Sequence, residues 1–189
     1  MGLRLIRRMM MLAILANLST TVVAGEQRQA LEAEAGALAT EFIGRLKPEL
    51  QRAMGEGGPE YAIGVCADKA PMIADALSQD SGWLVRRVSL KARNASRAIP
   101  DRWETSVLEE FERRQQTGEP ASNLRYSETT PSHFRYMQAQ AVDGVCLTCH
   151  GSNPSPQVQE TLRQYYPDDK ATGYEPGQVR GAISLSKRL

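Results

Sequence analysis

Residues 146–150 read Cys146-Leu147-Thr148-Cys149-His150, the C-x-x-C-H pattern of covalent haem c attachment. The spacing has a chemical reason: each thiol can add across one vinyl group of the porphyrin, and the adjacent histidine is left beneath the iron as its proximal ligand. One covalent haem c on Cys146, Cys149 and His150 is therefore expected. Two other chemistries use C-x-x-C. A zinc site wants a fourth nitrogen or sulfur ligand, and only Cys66 and His133 stand outside the motif. A thioredoxin-like redox pair needs neither His150 nor an export signal. Where the motif stands decides the fold class, because it lies late, behind helical and strand-like segments, and that mixture predicts an α+β fold.

The N-terminus reads as a targeting segment. Arg4, Arg7 and Arg8 make a positive start, Met9 to Leu18 an apolar core, and Val22-Val23-Ala24 a small-residue cleavage site. Residues 1–24 are expected to be a signal peptide and residues 25–189 a single domain. The apolar run falls short of the roughly 20 residues that a bilayer span needs, so no stable membrane span is expected after cleavage. Losing three arginines turns 23 basic and 22 acidic residues into 20 and 22, a net charge of −2 that offers nothing to nucleic acid. Export and C-x-x-C-H together point to the periplasm of a bacterium. They also leave Cys66 as an odd thiol in an oxidising compartment.

From Gln27 to Arg52 the apolar residues Leu31, Ala35, Leu38, Phe42, Leu46 and Leu50 recur every three or four positions, which predicts a long N-terminal helix. Gly55 to Pro59 should end it, with a kink or new turn at Pro48. A second helix is expected from Glu60 to about Ser78, buried side near Ala62, Val65, Cys66, Met72, Ile73 and Leu77, with a break at Pro71. Trp83 to Leu90 reads as a strand and Lys91 to Pro100 as a loop. Asp101 should cap a helix running to Arg114. Gln115 to Ser132 reads as a long connection. In Phe134 to Val142 the apolar phase switches at Met137, which predicts a strand bulged there or a short helix. A helical turn or two follows over Val158 to Tyr165, then a turn-rich stretch from Pro167 to Gly177 and a final strand from Val179 to Ser186.

Two familiar c-type layouts fit poorly. A small electron-carrier cytochrome has the motif early and a methionine ligand downstream, and no methionine follows His150 here. A four-helix-bundle cytochrome has no strands. The stretches "AIGVCADKAP" around Cys66, "VRRVSLKARN" at Val85 to Asn94, "PDRWE" at Pro100 to Glu104, "CLTCHG" at Cys146 to Gly151 and "YYPDDKATGYEPGQVRGAISL" at Tyr165 to Leu185 instead resemble, in that order, PAS-like single-haem c-type domains. These occur as free-standing exported proteins and as sensor domains of bacterial signalling receptors. The resemblance implies a PAS-like antiparallel sheet flanked by helices, with the long N-terminal helix outside it. Asn94 to Ile99 departs from the family pattern, so no role is carried over to that loop.

The residue across the iron decides the chemistry. Cys66 is the spare thiol, which metal coordination would deprotonate and protect, and the resemblance implies that it can be the sixth ligand. His133, one of Met54, Met72 and Met137, and a water-filled position remain as alternatives. Arg86, Arg87, Lys91, Arg93 and Arg180 are candidates for the propionates, and the resemblance favours the segment with Arg87 and Arg93. Tyr165, Tyr166 and Tyr174 are candidates to pack on the porphyrin. Two functions follow as expectations, redox or diatomic-gas sensing through a His/Cys-ligated haem, or electron transfer to a partner protein. No distal acid–base pair can be assigned, so an enzyme is not expected.

Overall fold

The computed structural model describes residues 25–189 with their side chains, and the expected signal peptide, residues 1–24, lies outside them. Two compact units divide the chain, Met1–Glu34 and Ala35–Leu189. The first contributes, among the described residues, an exposed helical stretch carrying the ion pair of Arg28 and Glu32. Everything below concerns the second.

Helix α1 (Gly2–Ser81) is two helices joined at Gly58, whose φ of 72° and ψ of −169° are not helical. Pro59 disfavours the helical conformation at the residue before it, and glycine is the residue that reaches positive φ without strain. The boundary expected between Gly55 and Pro59 is therefore present. The break expected at Pro71 is absent, and the chain stays helical through Pro48 as well. Ala62 and Ile63 before Pro71, and Ala74 and Leu77 after it, are all buried. That packing carries the helix past the missing amide hydrogen bond. Met72, expected near the buried side, is 61 % exposed.

Four strands form one antiparallel sheet in the order β1-β4-β3-β2: β1 (Leu84–Val88), β2 (Arg125–Thr129), β3 (His133–Ala141) and β4 (Val179–Arg188). The stretch from Gln115 to Ser132, read as a connection, contains a short 3-10 turn and β2. This is a correction: β2 is a polar edge strand that pairs only with β3, so no apolar alternation announces it. The expected bulge at Met137 is also absent. Phe134 and Tyr136 are buried toward α1, the Tyr136 hydroxyl lying 3.4 Å from where a Cβ on Gly36 would stand, while Met137 is buried in the opposite cluster. The apolar phase switches because helices cover both faces of the sheet. The register shift falls instead at Gln140/Ala141, opposite Gly181 and Val179. It leaves Arg180 as the extra residue of the bulge.

Two further helices lie between β1 and β2, α2 (Ala95–Ala98) and α3 (Arg102–Gln116). Helix α3 covers the face bearing Met137, and its Val107, Leu108 and Phe111 pack with Val88, Leu124 and Ala182. It opens as expected on Asp101, in a capping box: the Asp101 side chain accepts from the Glu104 amide and the Glu104 side chain from the Asp101 amide, both at 2.8 Å. Glu104 is 1 % exposed. Its other oxygen accepts from the Ser184 hydroxyl at 2.7 Å, and Arg135 stands 3.6 Å away. Glu104→Ala is expected to lower stability by roughly 2–3 kcal/mol, because it removes a cap and strands buried partners. Urea unfolding should show this at an unchanged m-value.

After β3 come a 3-10 turn (Gly144–Cys146), α4 (Leu147–His150) and α5 (Pro156–Tyr165). Ser155 caps α5 and Pro156 opens it. Val158 and Leu162 of α5 pack on Ile63 of α1. The α+β class read from the sequence is the class observed. Among the described residues no helix is long and apolar enough to cross a membrane.

Candidate functional site

Helix α4 is a single turn held from both ends. Asp143 accepts from the Gly144 amide through its side chain and from the Cys146 amide through its carbonyl, and Lys47 of α1 forms an ion pair with the same carboxylate. Gly151 closes the turn, its amide donating to Leu147 O at 2.8 Å. A Cβ on Gly151 would stand 2.6 Å from that oxygen, so only glycine fits. The two thiols are pinned by different neighbours. Cys146 packs on Val142, Ala171 and Tyr174, and Cys149 on Ile63, Val158 and Leu162. Burial pushes the Cys149 thiol up to about 11.

His150 Nδ1 lies 2.7 Å from the carbonyl oxygen of Ala171. A carbonyl only accepts, so Nδ1 carries the proton and Nε2 keeps its lone pair. Nε2 faces Arg180 Nη1 at 3.1 Å and Arg93 Nη1 at 3.3 Å. Burial first, and then the Arg93 charge, pull the imidazole down to about 3, so it is held neutral. The Tyr174 ring stands edge-on to it, 6.4 Å between centroids.

These groups border a cavity of about 640 Å³ between α1 and the α1-facing side of the sheet, within the size range of small-molecule and cofactor sites. Ile43, Leu50, Met54 and Ile63 give it apolar walls, and Cys66 and Tyr166 also border it. A C-x-x-C-H sequence whose histidine keeps a lone-pair nitrogen, faced by two arginines, beside a cavity raises the question of kinship. A family model described as Tll0287-like (Tll0287) matches residues 7–187. The chain belongs to the Tll0287-like family. It is also similar to the crystal structure of the cyanobacterial haem-protein Tll0287, with a TM-score of 0.58 at 24 % identity over 92 % of this chain and 96 % of that one. At that identity the likeness shows a shared fold. A comparison with curated proteins found no match.

In this Tll0287-like chain the fold brings Cys66, Cys146, Cys149, His150, Arg87 and Arg93 to the border of one cavity. Burial pushes the Cys66 thiol up, and Arg87 and then Arg93 pull against that. Arg87 reaches the α1-facing side of the sheet, opposite Ile183, and desolvation lowers its pKa. Among the described residues no carboxylate is within ion-pair distance of Arg87 or Arg180, and the buried Nε of Arg180 has no hydrogen-bond partner. Arg93 differs. It pairs with Asp169 at 3.1 Å and donates to Cys149 O at 2.6 Å and Ala171 O at 3.2 Å. Its remaining nitrogen, Nη1, lies 3.3 Å from His150 Nε2.

Of the other candidates, Met54 borders the cavity, whereas Met72 is exposed and Met137 lies in the opposite core. His133 is exposed at the start of β3, its ring bonded to the Ser132 hydroxyl. Among the described residues no three His, Cys, Asp or Glu side chains are grouped so as to hold a bare metal ion. Sequence reasoning passed over Asp169, Ala171 and Gln140. The turn-rich run around Asp168-Asp169-Lys170 was the available signal for the first two, and Gln140, an acceptor for Arg180, carried none.

Proposed function

We propose that this chain is an exported, periplasmic protein carrying one haem c on Cys146 and Cys149. His150 and Cys66 would hold its iron, and it would serve redox or diatomic-gas sensing. The observation that carries this reading is a cavity bordered by Cys146, Cys149 and His150 of the C-x-x-C-H motif and by the third, distant cysteine. Kinship with a protein named as a haem-protein supports it. The residues fit the group. Apolar walls suit a porphyrin, Nε2 of His150 is the ring nitrogen that keeps its lone pair, and Arg87 and Arg180 bring charge that no described carboxylate balances. The two propionates of a haem would supply that balance, with Arg93 contributing its one remaining nitrogen.

Bound there, the haem would supply a one-electron couple and, where reduction releases Cys66, a position for a small gas ligand. His150 is oriented by Ala171 O, which fixes its tautomer and raises the donor strength of Nε2. Cys66, as a thiolate donor, would favour the ferric form and lower the potential. A sensing role requires a partner or module that reads the state. No acid–base pair is assigned to the cavity, and the reading is of a protein that is not an enzyme.

Cys66→Ala tests the assignment. Ferric and ferrous absorption and electron paramagnetic spectra of wild type and variant are expected to differ, with thiolate-type low-spin ferric signals lost. Identical spectra would remove Cys66 from the iron. Wild type that stays six-coordinate in both states and binds neither carbon monoxide nor nitric oxide would instead make the protein an electron carrier.

A further inference from the structure

Arg93 is spent on the loop that holds His150. Its Nε and Nη2 engage the Asp169 carboxylate at 3.2 and 3.1 Å, and Nη2 also donates to Cys149 O and Ala171 O. Asp169 in turn accepts from the Ala171 amide at 2.8 Å, and the neighbouring Lys170 amide donates to Ala92 O at 3.0 Å. The pair is well enclosed, with side-chain exposures of 13 % and 9 %. One carbonyl, Ala171 O, therefore receives two donors, His150 Nδ1 at 2.7 Å and Arg93 Nη2 at 3.2 Å.

We propose that Arg93, clamped by Asp169, is a positioning residue that sets the reduction potential by sharing the carbonyl of Ala171 with His150. This rests on the reading of His150 as an axial ligand. A ligating imidazole donates more strongly the more its other N–H is drawn toward an acceptor. A second, charged donor on the same oxygen draws down its electron density and weakens that pull. Arg93 thus makes His150 a weaker donor than its short contact to Ala171 implies, and holds the potential up. Lysine cannot reproduce this, because an ammonium on a flexible stem lacks the planar fork that reaches a carboxylate and two carbonyls together.

Arg93→Lys keeps the charge and removes the bridge. Spectroelectrochemical titration is expected to show a downward shift of the midpoint potential, and the His150 ring N–H resonance should move downfield. Arg93→Gln should lower the potential further, since the charge is lost too. An unchanged potential in Arg93→Lys beside a lowered one in Arg93→Gln would reduce Arg93 to a point charge and overturn the proposal. Should Arg93→Lys fail to assemble, Asp169→Asn loosens the clamp with Arg93 intact, and an unmoved ring N–H resonance there would overturn it equally. Covalent haem content of denatured wild type separates the two readings. Wild type without haem refutes the haem assignment, whereas loaded wild type with unmoved variants refutes only the tuning.

Discussion

Replacing Cys146 and Cys149 together by serine is expected to abolish covalent haem altogether, leaving no haem stain on a denaturing gel where the wild-type chain keeps one. Only a thioether survives denaturation, and serine cannot form it. Each single change should leave one link and a partial signal. The two thiols sit in separate apolar contacts, on Val142, Ala171 and Tyr174 and on Ile63, Val158 and Leu162. Placing a hydroxyl in such surroundings costs about 1–3 kcal/mol, so the loss of stain must be distinguished from loss of fold. Far-ultraviolet circular dichroism of the double variant should remain wild-type in shape. An undiminished stain in the double variant would show that these thiols carry no haem.

Gly181→Ala is expected to produce the largest loss of stability for a single methyl group. Gly181 has φ of 153°, in a region that a side chain rarely adopts, and a Cβ there would stand 2.3 Å from Val88 O and 3.0 Å from Ser89 Cβ. Neither neighbour can move cheaply, because Val88 is buried and paired with Ala182 in the β1–β4 ladder. Backbone strain and steric conflict together should cost about 3 kcal/mol or more. For a chain of this size that is a fall of roughly 6–12 °C in Tm. The position also follows the bulge that frees Arg180 to reach His150, so the variant should perturb the cavity as well. A melting temperature within a degree of wild type would refute this account of the close approach.

Elements whose cause is local were legible in the chain. Asp101 and Glu104 stand three residues apart and cap each other, and Gly58 before Pro59 interrupts α1 where the turn residues placed the boundary. Elements that owe their form to neighbours were not. β2 reads Arg-Tyr-Ser-Glu-Thr and becomes a strand only because β3 offers it a partner. β3 shows apolar residues on both sides because α1 and α3 cover opposite faces of the sheet, and a period of two cannot express that. Pro71 fails to break its helix because buried residues on both sides hold the backbone.

The site divides along the same line. By itself the sequence determined the C-x-x-C-H motif, its late place in a mixed fold, the spare thiol at Cys66 and a set of arginines among which only the family resemblance favoured Arg87 and Arg93. Only the tertiary structure decided that Cys66 shares a cavity with His150, that Arg93 is spent on Asp169 and two carbonyls, and that among the described residues Arg87 and Arg180 are left without carboxylates. The physical reason is range. Attachment chemistry needs neighbours within five residues, whereas the surroundings of His150 come from β1, the segment around Ala171 and the bulge of β4, which meet only when the sheet closes.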